Sequence, residues 1–218
     1  MTEAEWLAAS DPMPMLAFLG RRPSQRKIRW FCIACCQQIL DKLDDPRERQ
    51  GLLAAEQLAD GLLNESGRLA VETALTDVVR EFDDVPCCSP LVYSRVVADS
   101  VDVADASFCA RSVMCDASYG KDSFDGIEDE LRYDQVEYVR DIFGNPLRPV
   151  AFDPRWRTAD TVGLARGIYE DRAFDRLPLL ADTLLDAGCA DEQMLGHCRS
   201  DGPHVRGCWV VDLVLGKE

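Results

Sequence analysis

Helix start and stop signals recur along this chain, whereas the alternating pattern of a half-buried strand is scarce. Thr2 followed by Glu5 matches a capping box, in which each residue bonds the backbone of the other. Asp11 before Pro12 matches an N-cap residue followed by proline at the first helical position. Ser24 precedes a further apolar segment of helical periodicity. These signals predict a succession of short helices.

The predicted fold class is therefore mostly α, arranged as a compact bundle or a short stack of antiparallel helix hairpins. No convincing fixed-period repeat occurs along the sequence. The segment 208–215 is nearly all apolar, and this pattern fits either a helix or a strand. A minor β element at the C-terminus is thus the one alternative to an all-helical chain.

The segment from Ser24 to about Leu43 has the strongest helical periodicity. Its apolar residues recur at three- and four-residue spacing and form one stripe: Ile28, Phe31, Cys32, Cys35, Ile39 and Leu43. Cys32 and Cys35 form a C-x2-C, which in redox proteins lies at a helix N-terminus. Because this pair lies in the middle of the helix and on its apolar stripe, we interpret the two thiols as core residues.

Residues 144–157 mark the clearest boundary, because prolines at 146, 149 and 154 exclude a continuous helix. This linker is rich in both proline and apolar residues, so it is predicted to pack on the surface. A helical N-terminal part, residues 1–143, precedes it. A helical C-terminal part with a Cys/His cluster, residues 158–218, follows it. We expect the two parts to form one composite domain of 218 residues.

Composition excludes several classes of protein. The 47% of hydrophobic and 29% of charged residues are typical of a globular chain, and no run of 18 apolar residues could form a spanning helix. The first ten residues contain Glu3 and Glu5 and no basic residue, the opposite of a secretory signal. We therefore expect a cytoplasmic protein without a membrane partner, whose ten cysteines are reduced.

The net charge of −15 disfavours binding to phosphate backbones and favours a basic protein partner. One group of basic residues could oppose this trend, and it consists of Arg21, Arg22, Arg26, Lys27 and Arg29. We interpret this group as a solvated face that offsets nearby acidic residues. Nucleic acid is accordingly an unexpected partner.

The C-terminal part contains both histidines of the chain, and five potential metal ligands fall within twenty residues: Cys189, His197, Cys198, His204 and Cys208. Zinc prefers four thiolate or imidazole ligands in a tetrahedron. His204 and Cys208 are four residues apart and share one face if that region is helical. They form the core of a predicted zinc site, with Cys198 as third and Cys189 as fourth ligand.

Two alternatives to this ligand set stay open. His197 could replace Cys198, since adjacent residues on a helix cannot both point at one ion. The region also lacks a C-x2-C knuckle, so the three cysteines could instead be core residues while the histidines bond locally. In that case the chain binds no cofactor.

Signatures of catalysis are missing from the sequence. It contains no G-x-S-x-G elbow, no H-E-x-x-H, no P-loop and no G-x-G-x-x-G. The favoured hypothesis is therefore a non-enzymatic module for protein–protein contact, and a metal-binding or thiol-dependent protein is the alternative. Aromatic and arginine side chains dominate protein interfaces. The candidate contacts in the linker are Leu147, Arg148, Phe152, Arg155 and Trp156.

Three segments resemble a bacterial family that has many paralogues per genome. Residues 1–7 read MTEAEWL, residues 140–149 read RDIFGNPLRP and residues 202–209 read GPHVRGCW. The resemblance covers most of the chain. That family has no known activity, so the resemblance implies no catalytic residue. It implies only that the linker and the Cys/His end matter to the family's architecture.

Overall fold

The computed structural model describes residues 1–40, 46–81, 96–98, 101–118 and 127–217. Throughout these ranges the regular structure is helical, which confirms the mostly α class. The longest helices have 17 residues, and none in the described part of the chain is long and apolar enough to cross a bilayer. The helices are α1 (Glu3–Ala8), α2 (Pro12–Leu19), α3 (Gln25–Gln37), α4 (Pro46–Ala59), α5 (Glu65–Glu81), α6 (Val103–Ser118), α7 (Ile127–Phe143), α8 (Ala159–Asp171), α9 (Leu177–Asp186), α10 (Glu192–Cys198) and α11 (Trp209–Leu215).

The predicted helix caps at the N-terminal end are confirmed. The Thr2 hydroxyl accepts a bond from the Glu5 amide at 3.2 Å, and the Glu5 carboxylate accepts one from the Thr2 amide at 2.7 Å. Asp11 caps α2, and Ser24 caps α3. These bonds satisfy amide groups that have no partner inside the helix. The apolar C-terminal segment is also helical, because α11 covers seven of its residues.

Helix α3 is the centre of the packing. It contacts α4, α6 and α7, and its side chains are buried on nearly every face. The buried surface is therefore wider than the single predicted stripe, and it also includes Trp30 and Ile33. Cys32 and Cys35 are fully buried, which confirms their interpretation as core thiols. Leu43 lies outside the described residues.

The C-terminal helices continue the same core. Helix α8 packs against α9 and α11, α9 packs against α10, and α11 also contacts α7. One contiguous cluster of buried side chains includes residues on both sides of the linker. The end of α7 is consequently enclosed by the segments that follow it, and this enclosure positions the polar groups described below.

The prediction that the basic group near α3 forms a solvated face is wrong for three of its members. The guanidinium of Arg29 is buried and donates to the carbonyl groups of Val96 and Ala98. Arg26 and Lys27 reach inward to the buried carboxylate of Asp212 on α11, at 2.7 and 2.6 Å. A distant acidic partner, invisible to local sequence patterns, explains the difference.

We expect Asp212→Asn to lower the free energy of unfolding by about 3 kcal/mol, because two partly buried cations lose the charge that neutralises them. Urea denaturation followed by circular dichroism measures this change. The matched control is Asp182→Asn, since Asp182 forms an exposed ion pair with Arg199 and should leave stability unchanged. Equal stability of the two variants would contradict the expectation.

Candidate metal centre

Four side chains from three separate regions meet at the end of α7. They are Asp141, His197, His204 and Cys208, and one ligand atom from each lies within 4.8 Å of all the others. Asp141 and Cys208 are buried, and the two histidines are half-buried. Carboxylate oxygen, imidazole nitrogen and thiolate sulfur are the donors that zinc prefers in proteins.

Asp141 lies in the last turns of α7 and is only 2% exposed. Its Oδ2 accepts a hydrogen bond from the backbone amide of Val205 at 2.9 Å. Its Oδ1 lies 2.7 Å from Nδ1 of His204 and 3.0 Å from Nε2 of His197. The amide bond therefore fixes the carboxylate so that one oxygen faces both imidazole rings.

The second nitrogen of His204 fixes the orientation of that ring. Nε2 lies 3.3 Å from the carbonyl oxygen of Ser200. In the tautomer that donates Nε2–H to this carbonyl, neutral His204 presents the lone pair of Nδ1 to the carboxylate of Asp141, 2.7 Å away. In that tautomer two acceptors face each other, and a proton or a metal ion between them removes their repulsion. A carbonyl partner on the outer nitrogen is typical of metal-binding histidines.

His197 lies in the last turn of α10, and its ring packs between two others. The ring centroid is 5.0 Å from that of His204 and 5.3 Å from that of Trp209. Its Nε2 lies 3.0 Å from Asp141 Oδ1 and 3.3 Å from Cys208 Sγ. A single nitrogen thus faces both the carboxylate and the sulfur.

Cys208 is the N-cap residue of α11 and is fully buried. The preceding turn, closed by a bond from its amide to the Val205 carbonyl, brings it close to His204. This turn requires Gly207, which has φ +92°, and a Cβ there would lie 2.8 Å from Cβ of Trp30. The segment between His204 and Cys208 is a loop, so the condition for a shared helix face is not met and the two residues converge through this turn.

The convergence of donors on one point distinguishes this arrangement from a Cys-His-Asp triad. In a triad the carboxylate and the nucleophile bond opposite nitrogens of the histidine. Here Nε2 of His197 faces both Asp141 and Cys208. A zinc ion with bonds of 2.0–2.3 Å needs ligand atoms about 3.3–3.7 Å apart in a tetrahedron. Three of the separations, 2.7, 3.0 and 3.3 Å, are at or below that range, and all the others are within 4.8 Å, so adjustments of about 1 Å would meet the requirement.

Burial and mutual contacts shift the pKa values of these groups in different directions. Burial acts to raise the pKa of Asp141, but its bonds to His197 and His204 outweigh burial and lower it to about 2. Burial acts to lower the pKa of His204, but the bond to Asp141 and its charge raise it overall. Burial raises the pKa of the Cys208 thiol well above its ordinary value. The carboxylate of Asp141 is thus held in its ionised form beside two imidazole rings, and these favour its negative charge.

The structure brings together some of the predicted ligands and separates others. His204 and Cys208 are both in the cluster, and His197, the alternative to Cys198, is the third member. Cys198 and Cys189 are buried but do not belong to the cluster. Burial raises the pKa of the Cys198 thiol to about 12, as expected for an inert core thiol.

Asp141 was absent from the predicted ligand set, because it lies 56 residues before His197 and in a different helix. One sequence signal points to it. Asp141 belongs to the segment RDIFGNPLRP, and His204 and Cys208 belong to GPHVRGCW. Two segments that carry the resemblance therefore supply three of the four donors.

The linker places its candidate contact residues in two different environments. Leu147, Arg148 and Arg155 are exposed. Phe152 and Trp156 are half-buried and pack against each other with ring centroids 5.5 Å apart. The aromatic pair fastens the linker to the core, and protein contact through these five residues stays a prediction.

Comparison with protein-family models, with curated proteins and with solved structures found no match to this chain. The geometry of the four side chains is consequently the main evidence for function.

We expect Gly207→Ala to lower the free energy of unfolding more than Gly188→Ala. Both glycines have positive φ, so each substitution costs about 1–2 kcal/mol of backbone strain. Only at position 207 does the added methyl group also collide with Trp30, which costs about 1–3 kcal/mol more. Urea denaturation of the two variants measures the difference, and equal losses would contradict the tight approach at Gly207.

Proposed function

We propose that this chain binds one zinc ion through Asp141, His197, His204 and Cys208. The observation that carries the proposal is the approach of four donor atoms, from four separate positions in the sequence, to within 4.8 Å of one another. A mixed set of nitrogen, sulfur and oxygen donors in a closed group of four favours zinc over calcium or magnesium, which prefer oxygen ligands.

The site is proposed to be structural. Four protein donors complete a tetrahedron and leave no position for a substrate or an activated water molecule. Two of the four donors, the carboxylate of Asp141 and the sulfur of Cys208, are also buried and so are shielded from solvent. We therefore propose a non-enzymatic helical domain in which zinc holds α10, the loop after it and α11 against the end of α7.

The competing arrangement has protons in place of the metal. Protonated imidazoles could neutralise Asp141, with Cys208 as a neutral thiol, and the same four side chains would then form a hydrogen-bonded group. The two arrangements differ in one measurable respect, because only the first requires a metal ion and a thiolate.

Metal analysis of the purified protein tests the proposal directly. We expect about one zinc ion per chain, and we expect Cys208→Ala to lose it because only three donors remain. Cys198→Ala is the matched control, since Cys198 is an equally buried cysteine of the same region outside the cluster. A protein without zinc that also takes up none from solution would contradict the proposal.

Cobalt substitution identifies the sulfur ligand. A thiolate bound to cobalt gives a charge-transfer absorption in the near ultraviolet, and this band should appear in the wild-type protein and in Cys198→Ala. Cys208→Ser should bind cobalt more weakly and without the band. If the band persists in Cys208→Ser, another thiol is the ligand.

We expect removal of zinc by a chelator to lower the free energy of unfolding by about 4 kcal/mol when free zinc had exceeded its dissociation constant a thousandfold. The reason is that the ion binds the folded chain only, because the donors are scattered in the unfolded chain. Thermal unfolding with and without chelator measures the effect. His204→Ala should unfold at the same temperature in both conditions.

A further inference from the structure

Trp209, whose ring packs against His197 of the metal centre, also lines a cleft. The end of α7, the start of the linker and α11 form its walls, and its volume is about 350 Å³. This volume lies within the range of pockets that bind small molecules. None of the four metal donors lines the cleft, so its function is separable from the proposed zinc site.

The lining of the cleft is mainly apolar. Trp209 and Leu213 of α11 face prolines from two connecting segments, Pro23 and the linker residues Pro146 and Pro149. Proline and aromatic rings are rigid, so they lose little conformational freedom when a ligand covers them. Such a surface is suited to the apolar part of a small ligand.

Three of the cationic side chains that line the cleft differ in whether a carboxylate neutralises them. Nζ of Lys27 is bonded to the carboxylate of Asp212 and to two backbone carbonyl groups. Nζ of Lys217 is 3.0 Å from the carboxylate of Asp60. Arg22 has no acidic partner among the residues that the structure describes. Arg22 is therefore the one cation among these three cleft-lining side chains that has no carboxylate beside it.

The guanidinium of Arg22 is held in place but keeps hydrogen-bond donors. Its Nε donates to the Leu19 carbonyl at 3.1 Å, and its Nη2 donates to the Phe18 carbonyl. The same group lies over the ring of Phe18, 4.6 Å from the centroid. Nη1 has no partner among the described side chains and backbone groups, so it can donate to an anion at the edge of the cleft.

We propose that this cleft binds a small amphipathic carboxylate. The apolar body of the ligand lies between Trp209 and the prolines, and the carboxylate accepts hydrogen bonds from Arg22. Charge complementarity selects an anion over a neutral or cationic ligand, and the size of the cleft selects a short chain or a single ring over a folded partner.

Titration calorimetry of the purified protein with octanoate tests the proposal. We expect saturable binding of one octanoate per chain, and affinity that rises about fourfold for each methylene from butanoate to octanoate. Octan-1-ol has the same chain without the charge and should bind about threefold to fivefold more weakly.

Two substitutions locate the binding site. Arg22→Gln should weaken octanoate binding about threefold to fivefold and leave octan-1-ol binding unchanged. Val150→Trp should abolish binding of both, because Val150 lines the cleft and the indole would fill it. The matched controls are Arg155→Gln, which removes an exposed arginine elsewhere, and Leu147→Trp, which adds an indole to the linker outside the cleft.

Circular dichroism and thermal unfolding verify that each variant is folded. The proposal is wrong if octanoate does not saturate, if octan-1-ol binds as tightly as octanoate, or if Val150→Trp binds like Leu147→Trp. These outcomes concern the cleft alone. A protein that binds octanoate but neither contains nor takes up zinc would contradict only the zinc site.

Discussion

The buried carboxylate of Asp141 is the constraint on which the C-terminal third of the structure depends. Its negative charge lies at the end of α7 with 2% of the residue exposed to solvent. A buried charge without partners costs several kcal/mol, so compensating groups must be supplied by the rest of the chain. They come from His197 on α10 and from His204 and the Val205 amide in the following loop. The positions of these two segments follow from the need to surround one carboxylate.

Arg140, the residue before Asp141, connects α7 to the N-terminal helix α1. The guanidinium of Arg140 donates to the carbonyl groups of Trp6 and Leu7, in the last turn of α1, and of Ala9, its C-cap residue. Adjacent residues on a helix point about 100° apart, so Arg140 and Asp141 can serve different neighbours. One dipeptide thus connects α1 and the C-terminal segments to the same turn of α7.

Local patterns predicted the helices but not the polar contacts between them. The caps at Thr2, Asp11 and Ser24 depend on residues no more than three positions apart, and a sequence displays such relations directly. The pairing of Arg26 with Asp212 spans 186 positions and depends on how the helices pack. For this reason the basic residues of α3 were predicted to be solvated.

In the candidate site, too, local spacing predicted some of the donors, whereas the long-range contacts could not be predicted. His204 and Cys208 were predicted as a pair from their spacing, although a turn at Gly207 joins them instead of a helix. The choice between His197 and Cys198 needed the direction of each side chain on α10, which the spacing alone left open. Asp141 could not be found from spacing, because its partners lie 56 to 64 positions further along the chain.

The long separation between Asp141 and its partners also affects how the protein is made. His204 follows Asp141 by 63 positions. At about 5–20 residues per second, a ribosome needs roughly 3–13 seconds to extend the chain from one to the other. During that interval α7 can form, but its carboxylate stays hydrated and the apolar groups around it stay uncovered. The helices that follow α7 in the sequence therefore complete this part of the core, and a nascent chain released before Cys208 would present that open end of α7 to chaperones and proteases.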